Sequence, residues 1–176
     1  MKASAYDAHK RERADEIHRK LVQLLARLPP LYATASSRKE DPKSTRIVVP
    51  LQYRVEPIRD TELLACLYPR RCICVVPSIL ERLLLDEIAR EILQKDPKAR
   101  VDDVQSNTQV LFLDKKNRLS LSRPLTDAVR IGRRVVFRRR NCRIEIWADE
   151  QYRGLFSPRD SPQIAPEQPP VPPSGP

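Results

Sequence analysis

The sequence predicts an α+β fold in which a small antiparallel sheet packs on a strongly apolar central helix. Apolar residues recur at helical spacing in residues 7–28 and again, more densely, in residues 79–93. From residue 108 onward the apolar period changes to two, which is typical of antiparallel hairpins. An N-terminal amphipathic helix and a disordered, Pro-rich C-terminal tail complete the prediction, and no internal repeat is visible in the sequence.

The composition divides the 176 residues into four segments. An N-terminal helix is predicted in residues 1–32, a linker in 33–44, the α+β domain in 45–156 and the disordered tail in 157–176. The linker is small, polar and charged, and the tail holds too many prolines and too few apolar residues to build a core. No apolar run is long enough for a secretory signal or a membrane span, so a cytoplasmic or nuclear protein is expected.

The first helix carries a short apolar stripe and ends at two consecutive prolines, Pro29 and Pro30. Because the stripe is short and the preceding half is almost wholly polar, the helix is expected to dock on the domain or on a partner. The stripe is the candidate partner-binding surface, and it consists of Ile17, Leu21, Leu24, Leu25 and Leu28.

Strands and helices alternate between residues 45 and 95. The segment "RIVVPLQYRVEP" alternates like a strand in its second half, "DTELLACLY" predicts a short helix, and "CICVVP" predicts a short buried strand. Ser78 and Glu81 have the spacing of a capping box for the apolar helix that ends near Lys95. More than half of the surface of this helix is apolar, which predicts a position in the core.

Two hairpins are predicted after the central helix. The first joins "TQVLFL" to "RLSLS" through the turn "DKKN", and the second joins "RRVVFRRR" to "RIEIW". The stretch "LTDAVRIG" between them is ambiguous between a short helix and a strand. With Arg140-Asn141 as a two-residue turn, Phe137 and Ile144 share one face of the second hairpin, and Arg138 lies opposite Arg143 on the other face, which is expected to meet water.

Arginine is concentrated in this second hairpin. Seven of the fourteen residues from Arg130 to Arg143 are arginine and none is acidic, in a chain whose net charge is +10. Guanidinium groups match the geometry of phosphates, and an exposed aromatic ring among them can stack on a base, which predicts binding of RNA or another nucleic acid. The candidate nucleic-acid-binding residues are Arg134, Arg138, Arg139, Arg140, Arg143 and Trp147.

Two other interpretations of this arginine-rich face stay open. In one, the arginines are a solvated surface and Trp147 is buried under the N-terminal helix. In the other, the chain is a protein-interaction subunit of a multiprotein complex, and its arginine face meets an acidic partner. An anionic lipid is a further possible ligand of the same arginines.

The sequence predicts a non-enzymatic protein with no cofactor and no metal. It holds no Gly-rich phosphate loop, nucleophile elbow or dinucleotide-binding fingerprint. Cys66, Cys72, Cys74 and Cys142 lack the paired spacing of a zinc knuckle and are interpreted as buried apolar thiols, with metal ligation or redox pairing as alternatives. A weaker candidate, a Mg²⁺ site, would use the scattered carboxylates of Asp102, Asp103, Asp114 and Asp127.

Two serine–proline pairs, Ser157-Pro158 and Ser161-Pro162, have the form of proline-directed phosphorylation sites. Each phosphate would add roughly −1.5 to −2 charges beside a basic domain. Phosphorylation of the tail is therefore expected to weaken the binding of an anionic partner.

Overall fold

A computed structural model describes residues 5–37, 43–68, 71–102, 104, 107–156 and 161–164. The helices of this part of the chain are α1 (Ala5–Leu25), α2 (Glu56–Arg59), α3 (Glu81–Lys95), α4 (Arg123–Ala128) and α5 (Asp149–Leu155). The strands are β1 (Leu31–Ser37), β2 (Ser44–Val48), β3 (Leu63–Tyr68), β4 (Cys72–Pro77), β5 (Thr108–Leu111), β6 (Arg118–Ser122), β7 (Arg134–Arg140), β8 (Arg143–Ala148) and β9 (Gln163–Ile164). Short 3-10 turns lie at Leu51–Tyr53 and Ser78–Leu80.

The strands form one mostly antiparallel sheet that curls into a near-closed barrel, in the order β5-β3-β4-β8-β7-β1-β2-β6. The ends of this order meet at β5 and β6, where the side-chain amide of Gln109 bridges the gap. It donates to the carbonyl oxygen of Ser120 at 3.0 Å and accepts from the backbone N–H of Ser122 at 2.8 Å. The short strand β9 pairs in parallel with the first residues of β1.

The order of elements occurs twice along the chain. Two strands, a short helix, two strands and a longer helix run from β1 to α3, and the same series runs from β5 to α5. The counterparts in the two halves are β1 and β5, β2 and β6, β3 and β7, and β4 and β8. If each strand is replaced by its counterpart, the same order of neighbours is obtained, running in the opposite direction around the barrel. The structure therefore contains a duplication that the sequence does not reveal, because the two halves differ in loop length and residue type.

The α+β class is confirmed, but the predicted small sheet on a central helix is wrong. Helix α3 lies outside the barrel and buries only Leu84 and Ile88 completely, while Leu83 and Leu93 remain 40% and 39% exposed. The predicted capping box is also wrong. Ser78 opens a 3-10 turn, and α3 begins after Leu80 without a side-chain cap.

Several predictions of local secondary structure also differ from the structure. The segment "LLACLY" is strand β3 rather than a helix, and the strand predicted in "RIVVPLQYRVEP" ends at Val48. The predicted linker contains the end of β1, and residues 163–164 of the predicted disordered tail form β9. Apart from residues 161–164, the tail from residue 157 onward lies outside the described residues, as does Asp103. The first predicted hairpin forms no ladder within the described residues, because β5 pairs with β3 and β6 pairs with β2.

The apolar stripe of α1 packs mainly on the barrel of its own chain. Leu21 and Leu25 are completely buried, and Ile17 and Leu28 are partly buried against the core. Leu24 alone among the five stripe residues stays largely exposed, at 47%. A partner could therefore reach Leu24 directly, whereas the rest of the stripe is engaged. None of the helices in the described ranges is long and apolar enough to cross a membrane.

Candidate nucleic-acid interface

Strands β7 and β8 form the predicted arginine hairpin, with a different register. Asn141 has a φ of 50° and the two-residue turn is Asn141-Cys142, so Arg140 pairs with Arg143 and Arg138 pairs with Glu145. The predicted pairing of Arg138 with Arg143 is wrong by two residues. A shift of two preserves the face of every side chain, so the predicted separation of the two faces still holds.

The outer face of this hairpin is covered rather than open. Helix α3 packs on β4 and places Glu91 against Arg143 of β8, and α5 turns back after β8 and, with the residue that follows it, places Tyr152 and Phe156 against Trp147. As a result Arg143 is 0% exposed and Trp147 is 2% exposed. The expectation that these two residues face water is wrong, because no local sequence pattern reveals where α3 and α5 pack.

Arg143 is held in a network of carboxylates under α3. Its Nη2 donates to Glu145 Oε1 at 3.0 Å and to Glu91 Oε1 at 3.1 Å, and Trp147 Nε1 donates to Glu145 Oε2 at 3.1 Å. Burial alone would lower the pKa of Arg143, but the surrounding negative charge, including Glu145 and Glu91, holds this pKa above its ordinary value. Burial raises the pKa of Glu145, while the hydrogen bonds from Arg143 and Trp147 act in the opposite direction.

The remaining predicted arginines do not share one open surface. Arg138 Nη1 lies 3.7 Å from Glu145 Oε2, and Arg140 Nη2 lies 3.3 Å from Glu91 Oε2, so both extend the covered network. Arg139 is exposed at the hairpin tip. Arg134 is 55% exposed and pairs with Asp149 at 2.6 Å at the other end of β7. Contact of these residues with nucleic acid stays a prediction.

A second surface, on the opposite side of the barrel, was not singled out from the sequence. The side chains of β1, β2 and β6 alternate between the core and the outside, and Leu31, Ile47 and Leu119 are buried in the core. We call the outward set the open face. It consists of Thr34, Ser36, Ser44, Arg46, Val48, Arg118, Ser120 and Ser122.

Arg46 lies at the centre of the open face. It pairs across the ladders with Ser36 of β1 and with Ser120 of β6. Its Nε and Nη1 are inaccessible to solvent and have no hydrogen-bond partner among the described residues, so part of the guanidinium group is desolvated without compensation. Ser36 and Ser120 flank this partly exposed residue with hydroxyl groups, and hydroxyl and guanidinium groups are typical contacts of phosphate oxygens.

A tight turn, Asp114–Arg118, borders the open face. Asp114 Oδ1 accepts from the backbone N–H groups of Lys116 at 2.8 Å and Arg118 at 2.9 Å, and Asp114 Oδ2 lies 2.7 Å from Arg118 Nη2. Asn117 adopts a φ of 56°, which an asparagine tolerates. The predicted "DKKN" turn thus exists, and its carboxylate orients Arg118 rather than lying free for Mg²⁺.

The ionised form of Asp114 is expected to stabilise this turn. Burial alone would raise the pKa of Asp114, but hydrogen bonds from Arg118 and Lys116 outweigh it and hold the pKa below its ordinary value. The contribution is therefore present above about pH 4, where an unfolded aspartate ionises, and is lost as the pH falls through the lower pKa of the folded state. The difference in unfolding free energy between the wild type and Asp114→Asn should shrink over that window. A difference that is constant with pH would contradict this.

A groove of about 320 Å³ adjoins the open face beside Arg134. Tyr32 lies in it with its ring 4.7 Å from the Arg134 guanidinium carbon, and Val48, Leu51 and Ile164 supply apolar walls. An aromatic ring beside an arginine, which the sequence suggested for Trp147, is thus present at Tyr32. The sequence pattern that could have indicated the open face is the alternation of serine and arginine with apolar residues in "STRIV" and "RLSLS".

No curated protein matches this chain. One part of the chain does resemble a known family, and this part contains β5 to β9, the second half of the duplicated series. Residues 105–168, a little over a third of the chain, match the family model described as "MraZ protein, putative antitoxin-like".

Proposed function

We propose that this protein is a non-enzymatic accessory protein that binds nucleic acid through the open face. The observation that carries the proposal is the position of Arg46, a partly exposed arginine at the centre of a strand face whose other outward residues are mostly serine, threonine and arginine. Arginine and serine side chains are common phosphate-contacting groups in nucleic-acid complexes, where they fix the register of the protein on the backbone.

The charge of the chain and its family match support the same ligand. A net charge of +10 draws polyanions toward the protein. The MraZ family is known as a family of nucleic-acid-binding regulators, and its model matches the segment that supplies Arg118 and Ser120 of the open face. Proteins of this family are usually cytoplasmic, so the cytoplasm is the compartment we propose.

Single-stranded RNA is the form that we favour. The open face would hold phosphates, and the ring of Tyr32 in the adjoining groove could stack on one unpaired base. Arg134 contacts this ring and could bind the next phosphate, whereas Arg139 lies toward the other end of β7 and is not part of this surface. In this proposal Arg143 and Trp147 position the covered side of the hairpin and do not touch the nucleic acid.

The test compares Arg46→Gln with Arg90→Gln. Both variants lower the net charge equally, but Arg90 is exposed on α3, on the covered side of the barrel. Arg46→Gln should weaken binding of a fluorescein-labelled single-stranded RNA several-fold and reduce the slope of log affinity against log salt by about one. Arg90→Gln should change neither quantity appreciably.

Two results would oppose the proposal. Equal losses in both variants would mean that only net charge matters, and no loss in Arg46→Gln would remove the open face as the contact surface. The duplex DNA of the same sequence serves as the second probe. Tighter binding of the duplex would leave nucleic-acid binding intact but reject the preference for RNA.

Protein interaction is the second candidate function, and a different observation favours it. Val110 and Phe112, in and just after β5, are 55% and 62% exposed, which is unusual for large apolar side chains at the seam of a barrel. A subunit of an assembly would use such a surface for a partner protein. Self-association of the wild type that Phe112→Ser removes, without any RNA binding, would favour this candidate.

A further inference from the structure

Three thiols and a carboxylate meet beneath α3, on the covered side of the barrel. Cys74 of β4 pairs across the ladder with Cys66 of β3 on one side and with Glu145 of β8 on the other. Cys72 lies two residues before Cys74 and therefore on the same face. All four residues are buried, each with a relative exposure of 0%.

The donor atoms of this group have the spacing of a metal site. The Sγ atoms of Cys72 and Cys74 are 3.9 Å apart, and these two sulfurs and a carboxylate oxygen of Glu145 all lie within 4.8 Å of one another. Zinc–sulfur bonds of about 2.3 Å in a tetrahedral site place two sulfurs about 3.8 Å apart. Cys66 pairs across the ladder with Cys74 and lies next to this group but outside its 4.8 Å spacing, so a rotation of its side chain is needed for it to supply a fourth donor.

The electrostatic surroundings of the donors are positive, which favours ionised sulfur. Arg143 and Arg138 both approach Glu145, so two cations lie beside the group of donors.

We propose that Cys66, Cys72, Cys74 and Glu145 bind one thiophilic divalent cation of the zinc class. On binding, each of the three thiols loses its proton to solvent and donates a sulfur lone pair to the metal, and no electron is transferred. Three thiolates and a carboxylate carry four negative charges, and the divalent ion carries two positive ones. The guanidinium groups of Arg143 and Arg138 balance the remaining two negative charges.

The ion would have a structural role. Because all its ligands are buried and all four coordination positions are filled, no open position remains for a substrate or an activated water. The ion would join β3, β4 and β8, three neighbouring strands of the barrel, beneath α3. The site lies away from the open face, so the metal proposal stands or falls independently of nucleic-acid binding.

The test uses the full chain, denatured and refolded under reducing conditions with zinc, with cobalt, or with a chelator. The wild type refolded with zinc should retain about one ion per chain after gel filtration and should melt at a higher temperature than the chelator-treated protein. The cobalt form should show the visible and thiolate charge-transfer bands of a tetrahedral cobalt–sulfur site. Absence of stoichiometric metal and of these bands in the wild type would overturn the proposal, whatever the variants do.

The matched variants are Cys74→Ser and Cys142→Ser. Cys142 is also a buried thiol, but it lies in the β7–β8 turn and is not among the clustered donor atoms. Cys74→Ser should lose the bound ion and the cobalt bands, while Cys142→Ser should keep both. Retention of the ion by both variants, or its loss from both, would mean that the clustered donors are not the ligands.

Discussion

Arg143→Ala is expected to lower the free energy of unfolding by about 3–5 kcal/mol, because it leaves buried carboxylates without the cation that they share. Glu145 is completely buried, and Arg143 provides it with hydrogen bonds at 3.0 and 3.2 Å. Glu91 loses the same donor group. Since domains of this size are stable by about 5–15 kcal/mol, the loss would be a large fraction of the total.

Denaturant unfolding in the presence of a chelator and a reductant measures this effect. The double variant Arg143→Met with Glu145→Leu removes both charges and fills a similar volume, so it should lose less stability than the sum of the single variants Arg143→Met and Glu145→Leu. Arg90→Ala on the exposed face of α3 is the control and should stay within about 0.5 kcal/mol of the wild type. An Arg143→Ala variant as stable as that control would show that the buried network contributes nothing to folding.

The faces of the arginine hairpin could be predicted from the sequence, and their environment could not. Alternation assigns Phe137 and Ile144 to one side whatever the exact pairing, because a shift of two residues changes the partners and keeps the sides. Whether the other side meets water depends on α3, which is more than forty residues away in sequence from β8. The packing of α3 turned one predicted ligand contact, Arg143, into a buried structural group, and the segment of α5, which directly follows β8, did the same for Trp147.

The error at β3 has a different physical cause. The run "LLACLY" is apolar throughout because the strand is buried on both faces, and such a run has no period to distinguish it from a short helix. Its misassignment also concealed the duplication, since β3 and β4 are the counterparts of β7 and β8. The open face was missed for a related reason. Serines alternate with apolar residues in β6 as in any strand with one solvated face, and only the pairing with β2 brings them to Arg46.

Trp147→Ala is expected to cost about 3–5 kcal/mol of stability, because it would leave a large cavity between the sheet and α5. The indole meets the ring of Phe156 edge-on at 5.3 Å and the ring of Tyr152 at 6.3 Å, and the latter two rings stack at 4.4 Å. These contacts hold the segment after β8 against the barrel. Trp147→Phe keeps an aromatic ring and loses the hydrogen bond to Glu145, so it should cost clearly less than the alanine variant.

Thermal and denaturant unfolding measure these losses, with Phe112→Ala as the aromatic control. Phe112 is 62% exposed, so its removal should change the stability by no more than about 0.5 kcal/mol. Trp147 is the only tryptophan in the chain, so the wild-type fluorescence reports on it alone. Its emission should be that of an indole shielded from water, and RNA that binds at the open face should not quench it by stacking. Strong quenching by RNA, together with a mild effect of Trp147→Ala, would instead place the indole at the nucleic-acid interface and overturn its structural role.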